Sequence, residues 1–189
     1  MISFFVIVII FTLFVSLLII LFMKKSDKRL SVTEVNKNIF KYSICLNDLK
    51  ETNFKKKLSK FIKKIKFTSY ADHVVLETNE KPTKIIDLLK KKVPEVSLVG
   101  YGKSINIFKQ TGNPKDVVKK FKLSSFSGTH GIGHTRMATE SAITTQGSHP
   151  YSTSEDECLV HNGSLSNHNN VRRSLIKDGQ NFNSENDTE

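Results

Sequence analysis

The chain has 189 residues, enough to bury one domain core and carry appendages. Its two cysteines, Cys45 and Cys158, exclude a disulfide framework and a paired-cysteine metal site, and they suit a reducing compartment. The net charge of +11 divides into +15 over residues 24–122 and −4 over residues 123–189, so basic character belongs to the first part.

Residues 2–23 carry no charged group, and as a helix they would span roughly 30 Å, the thickness of a bilayer core. Lys24, Lys25, Lys28 and Arg29 follow at once. No positive charge precedes the run and no small-residue cleavage site follows it, unlike a secretory signal. The pattern predicts one transmembrane helix over 1–23 with the rest of the chain cytoplasmic, or a soluble cytoplasmic chain if that segment is an artefact. A basic linker is expected over 24–41, and a short strand around Tyr42–Leu46. In 54–67, FKKKLSKFIKKIKF, Phe54, Leu58, Phe61, Ile62 and Ile65 recur at helical spacing with lysines opposite. This reads as a surface helix whose lysines are solvated or rest on anionic lipid. They lack interleaved arginines or a stacking platform, so no nucleic-acid partner is expected.

Strands are expected at His73–Glu77, Val96–Val99 and Ile105–Lys109, and helices at Lys84–Lys92 and from Pro114 onward. His73 reads as an ordinary, partly buried histidine. A last helix is expected over Asn167–Lys177, ending at Gly179, with Val171, Leu175 and Ile176 inward. Short, mixed elements without an internal repeat give an α+β class. The residues 42–189 read as one domain.

Five of the six histidines fall between Gly128 and Glu189, among many small polar residues. Three clusters stand out there: HTRMAT at 134–139, HNGSLSNH at 161–168 and ENDTE at 185–189. The last begins like a helix start, with Ser184 as cap and Asp187 in the first turn. Together, in this order, they resemble the glutamine-binding half of the class II glutamine amidotransferases, which are N-terminal-nucleophile hydrolases. The wording is most similar to the amidotransferase subunit of the glutamate synthase-like family, the branch that includes N-methylglutamate synthase. The resemblance is dense over 128–189 and fainter back to about Cys45. It implies a four-layer α/β/β/α sandwich, incomplete here. It also implies hydrolysis of glutamine to glutamate and ammonia, with the ammonia passed to synthase subunits of a glutamate synthase-like complex. No cofactor is expected in this chain.

A glutaminase must hold the α-carboxylate and α-ammonium of glutamine and attack its carboxamide. The planar fork of an arginine suits the carboxylate, and Arg136, the one arginine between 30 and 171, matches the family's arginine in HTR. Asp187 suits the ammonium and matches the family's aspartate in DTE. Thr139, in the same cluster as Arg136, joins the substrate-binding set. For the oxyanion, Asn162 offers a side-chain amide and Gly163 a backbone N–H, matching the family's Asn-Gly pair. A metal is not expected, since His130 and His134 do not form a helical HExxH and no acid lies at ligand spacing. His134 and His161 read as supporting groups, and Cys158 as a buried thiol.

The resemblance fails at the nucleophile, which in the family is a cysteine at the mature N-terminus followed by glycine. Cys45 is internal and precedes Leu46 and Asn47, with no evident activating neighbour. The family's fold also continues beyond the position of Glu189. The expectation is therefore a fragment or remodelled copy of an amidotransferase, inactive as a glutaminase. The alternative is a membrane-anchored, non-catalytic binding or scaffold protein derived from one.

Overall fold

The strand β1 (Phe40–Cys45) sits at the centre of the molecule's main sheet, and its alternation sets what lies on either side. In this computed structural model, residues 38–136 and 142–189 are described. The helix expected over 2–23 and most of the linker lie outside the described residues. Among the described residues, no helix is long and apolar enough to cross a membrane.

After β1 come α1 (Glu51–Ser59), β2 (Ile65–Tyr70), β3 (His73–Thr78), α2 (Pro82–Lys92) and β4 (Ser97–Gly102). The strands pair antiparallel in the order β2-β3-β1-β4, which is the plait of two interleaved βαβ units. On one face, Tyr42, Ile44 and Leu46 meet Val74 and Leu76 of β3 and the buried stripes of the helices. Those stripes are Phe54 and Leu58 of α1 and Ile85 and Leu89 of α2. Both helices carry lysines in the last turn, where they complement the partial negative charge of the carbonyl end. The other face is covered by the segment after β4. There the Ile107 amide donates to Ser43 Oγ at 3.0 Å, and the buried His73 ring meets Phe121 edge-on at 4.8 Å. Burial of both faces explains why β1 and β3 are almost continuously buried.

Two expected elements differ. The helix expected over 54–67 ends at Ser59, and Ile65 opens β2 instead. The apolar spacing persists because the Ile62 amide still reaches Leu58 O at 3.2 Å, which keeps Ile62 in the core. From Ile65 the run IKFTSY, rich in β-branched and aromatic groups, pairs in register with β3, and this pairing outweighs a helical period that lysines made easy to extend. The strand expected at 105–109 forms no ladder, because its amides are spent on Ser43 and on a loop described next.

Beyond the plait, α3 (Pro114–Lys120) opens on Asn113, whose side chain accepts from the Lys115 amide at 2.9 Å. A hairpin of β5 (Tyr151–Ser154) and β6 (Glu157–Leu159) then forms a separate two-stranded ribbon. Its turn residue Asp156, with φ +59°, locks onto the end of β4. The Asp156 amide donates to Tyr101 O at 3.0 Å, and its carboxylate accepts from the amides of Lys103, Ser104 and Ile105 at 2.8–3.0 Å. Burial raises the pKa of this carboxyl, but the three N–H donors outweigh that and hold it below its ordinary value. Close approach here requires Gly102, since a Cβ would overlap the Asp156 carboxylate and stand 2.6 Å from its backbone N.

The last helix, α4 (His168–Lys177), closes as expected at Gly179, where φ is +87° and the Gln180 amide bonds back to Leu175 O at 2.9 Å. Its apolar stripe is not inward. Val171 and Leu175 are exposed and Ile176 is 54 % exposed, since no sheet of the described residues lies beneath the helix. The described residues thus form a mixed α/β arrangement of one four-stranded sheet, a two-stranded ribbon and four helices.

Gly102→Ala is expected to lower the free energy of unfolding by about 1–3 kcal/mol, by prising the ribbon turn from β4. Urea titration checks this, and an unchanged midpoint would mean the turn is not locked.

Candidate functional site

The expected site residues gather around one backbone carbonyl, that of Gly147. Arg136 Nη1 donates to it at 3.2 Å and also to Ala142 O at 3.3 Å. From the other side, Asn186 Nδ2 donates to the same oxygen at 3.3 Å. Asn186 is only 4 % exposed, and its Oδ1 accepts from the Thr188 amide at 2.8 Å, which folds 186–188 into a tight turn. Asp187 stands at the apex of that turn. A carbonyl oxygen has two lone pairs, so Gly147 can serve both donors and tie the arginine's position to that of the acid.

The turn is held from outside as well. His149 Nε2 lies 2.9 Å from Thr188 Oγ1, and Arg172 on α4 donates from Nη2 to Asn186 O at 2.7 Å. The helix start expected at Ser184 does not form; bends and a turn occupy 183–188. Ser184 Oγ nevertheless accepts from the Asn186 amide at 3.2 Å, the local bond that a capping serine makes. The carboxylate of Glu189 organises the approach by accepting from the amides of Asn183 and Ser184 at 2.6 and 2.7 Å.

Asp187 makes the link to the second cluster. Its Oδ2 accepts from the Leu165 amide at 2.8 Å, which fixes the loop just past Asn162 and Gly163. Both loop residues are exposed, and the Asn162 amide has no hydrogen-bond partner among the described residues. At Gly163 a Cβ would stand 2.8 Å from His161 Nε2, so the imidazole occupies the side that a larger residue would need. Thr139 lies outside the described residues. The arrangement therefore brings Arg136, Asp187 and the Asn162–Gly163 loop into one hydrogen-bonded chain, with a cation at one end and an anion in the middle.

Four residues that matter to this geometry were not singled out from the sequence. Gly147 acts through its carbonyl, which has no sequence signature. Asn186 was visible inside ENDTE, directly before Asp187, but gave no reason to be preferred. His149 packs its ring 4.2 Å from His134 and 5.2 Å from Tyr151, and the Nδ1 atoms of His134 and His149 are buried without a partner among the described residues. Burial first, then the neighbouring charges of His134, Lys109, Arg136 and His161, push the His149 pKa down to about 4. The fourth, Lys109, is taken up below. The thiols are poorly placed for nucleophilic work. Burial raises the pKa of both Cys45 and Cys158, and Cys45 Sγ donates to Asn47 Oδ1 at 3.4 Å. Among the described residues, no group of three or more His, Cys, Asp or Glu could hold a metal ion.

Comparison with known proteins bears on this geometry. Residues 122–189 match the family model described as a glutamine amidotransferase domain. Over this stretch, about a third of the chain and hereafter the amidotransferase segment, the chain is similar to such a domain. The glutamine amidotransferase-like protein GlxB of Rhizobium meliloti is 62 % identical over 96 residues, covering 51 % of this chain and 32 % of the relative. A glutamine–fructose-6-phosphate aminotransferase of Methanococcus maripaludis is 38 % identical over 120 residues, covering 59 % of this chain and 20 % of that protein. The corresponding protein of Francisella tularensis is 40 % identical over 87 residues, covering 46 % of this chain and 14 % of its own length. The matched part thus spans a third or less of each of these relatives. No solved structure matches at a significant level. The amidotransferase segment begins twenty residues beyond β4, so the plait precedes it.

The histidine pair makes the fold sensitive to acid. Unfolded, His149 binds its proton near pH 6.5; folded, it stays neutral down to about 4. Between those values the unfolded chain holds the extra proton, so stability is full above pH 6.5, falls as pH drops, and levels off below 4. Thermal melts from pH 7.5 to 4 are expected to show this decline, and His149→Gln to show less of it. Parallel curves for the two proteins would contradict the assignment.

Proposed function

We propose that residues 122–189 form the glutamine-recognising part of a class II amidotransferase, and that this chain binds glutamine without hydrolysing it. The observation that carries the reading is the Gly147 carbonyl, shared by Arg136 and Asn186, which couples a cation suited to the α-carboxylate to an acid suited to the α-ammonium. Charge-assisted hydrogen bonds of this kind contribute roughly 1.5–3 kcal/mol each when one partner is removed. The Asn162 side-chain amide and the Gly163 N–H would serve the oxyanion, and Thr139 would add a substrate hydroxyl contact. The reading assigns no nucleophile to this chain. Burial raises the pKa of both thiols, which disfavours the thiolate, and oxyanion donors without a thiolate leave the carboxamide intact.

The finer assignment goes to the glutamate synthase-like branch. In it, ammonia released from glutamine would pass to partner synthase subunits, and a nucleophilic cysteine would have to come from a partner chain, since Cys45 and Cys158 are the two cysteines of this sequence. Held to a membrane by residues 2–23, with the rest cytoplasmic, the chain would work as a tethered glutamine-binding or scaffold protein. The raised thiol pKa values favour this second, non-catalytic role over turnover.

Isothermal titration with glutamine is expected to give binding that weakens about tenfold or more in Arg136→Ala and in Asp187→Asn. Ammonia release is expected to be absent in the parent chain and unaltered by Cys45→Ala. Turnover that Cys45→Ala abolishes would overturn the non-catalytic reading, and unchanged affinity in both clamp variants would overturn the clamp.

A further inference from the structure

A polar cavity of about 510 Å³ lies along the seam between the plait and the amidotransferase segment. That volume is within the range of small-molecule sites. Its walls come from the end of β1, from the β4 edge, from 145–153 and from 180–189, and none of Arg136, Asn162, Gly163 or Asp187 lines it. It adjoins the clamp turn at Thr188 without including the clamp's charged groups.

The group that distinguishes this cavity is Lys109. The residue is 7 % exposed, its Nζ donates to Gln146 O at 2.8 Å, and the ammonium lies 4.0 Å from the centre of the Tyr151 ring. Lysine is seldom buried to this degree without a carboxylate, because desolvating an ammonium is costly. Yet among the described residues no carboxylate lies within ion-pair distance of it. The nearest acid on the cavity, Glu189, has both oxygens committed to Asn183 and Ser184. Burial accordingly pushes the Lys109 pKa down to about 8, against the opposing pull of Glu189 and Cys45. A lysine kept here is half-compensated by one carbonyl and one aromatic face, and its remaining donors are best satisfied by an anion.

The surroundings narrow the anion. A phosphate is usually held by several donors at once, from a helix N-terminus, a glycine-rich loop or an arginine fork. The cavity wall has no arginine and no glycine, and Lys109 is its one cation. Ser97, Gln146, Asn181 and Thr188 offer hydroxyls and amides for a second polar group, and Leu98 and Phe182 offer apolar surface for a short carbon chain. We propose that this seam cavity binds a small carboxylate of amino-acid size, with Lys109 as the carboxylate's partner. The site uses none of Arg136, Asn162, Gly163 and Asp187, although Thr188 of the clamp turn forms part of its wall.

Glutarate is a suitable probe because it has no amine for Asp187 to recognise. With the full chain in mild detergent, isothermal titration is expected to detect glutarate binding that Arg136→Ala leaves unaltered. Lys109→Met is expected to weaken it about tenfold or more. If Lys109→Met does not fold, the parent chain still decides the matter. Its glutarate affinity should fall at least several-fold between pH 7 and 9.5 as the ammonium deprotonates. The proposal is overturned if the parent chain binds no glutarate, if Lys109→Met binds it equally well, or if the parent's affinity is flat across that pH range. Loss of glutamine binding with glutarate binding retained would remove the clamp reading and leave this one standing.

Discussion

One carboxylate joins the two parts of this molecule. Asp156 sits at the tip of the ribbon, in a left-handed turn, and takes the three amides that follow β4. Those amides have left the sheet and would otherwise need water or another partner, so a single side chain satisfies the exit from the plait and fixes the ribbon at the same time. Everything in the amidotransferase segment is placed relative to that ribbon. Its first strand leads out of the Gly147–His149 loop, and its second leads to Asn162. The absence of a side chain at Gly102 is part of the same device, because only there can the two backbones come close enough.

A second theme is the division of labour in polar groups. In the plait the charges are on the outside, in lysine-rich helices paired at the surface, and such pairs contribute little to stability. In the amidotransferase segment the polar groups are turned inward and toward backbone carbonyls. Arg136, Asn186 and Arg172 each donate to a main-chain oxygen, and Lys109, from the stretch before the segment, donates into it at Gln146 O. A loop-rich region with few apolar side chains gains its shape this way, since each buried carbonyl that meets a donor avoids a penalty of about 1–3 kcal/mol. The charge split along the chain, basic first and acidic last, follows the same line between the two parts.

The sequence made much of this legible where period or punctuation was strong. The helix ending at Gly179, the helix opened by Pro114 and the strands around Tyr42 and His73 are placed as expected. Periodicity misled at Ile65, where lysine-rich spacing extends a helix on paper while strand pairing with β3 decides the outcome. It misled again for α4, whose stripe was read as inward because stripes usually are. At the site, the clusters named which residues to watch: Arg136, Asp187 and the Asn162–Gly163 pair. The sequence could not name what connects them. A shared carbonyl at Gly147 is a main-chain property, and Lys109 is one lysine among many until the fold buries it.

The order of the elements also bears on how the chain is made. All four strands and both helices of the plait are complete by Gly102, and its helix-side core draws on no residue beyond Tyr101, while the other face waits for Ile107 and Phe121. During synthesis, at about 5–20 residues per second, that core is out of the ribosome several seconds before Glu189. The ribbon would then meet a finished sheet edge and a set of waiting amides. The plait would serve the later segment as an internal template, with Asp156 arriving as the latch.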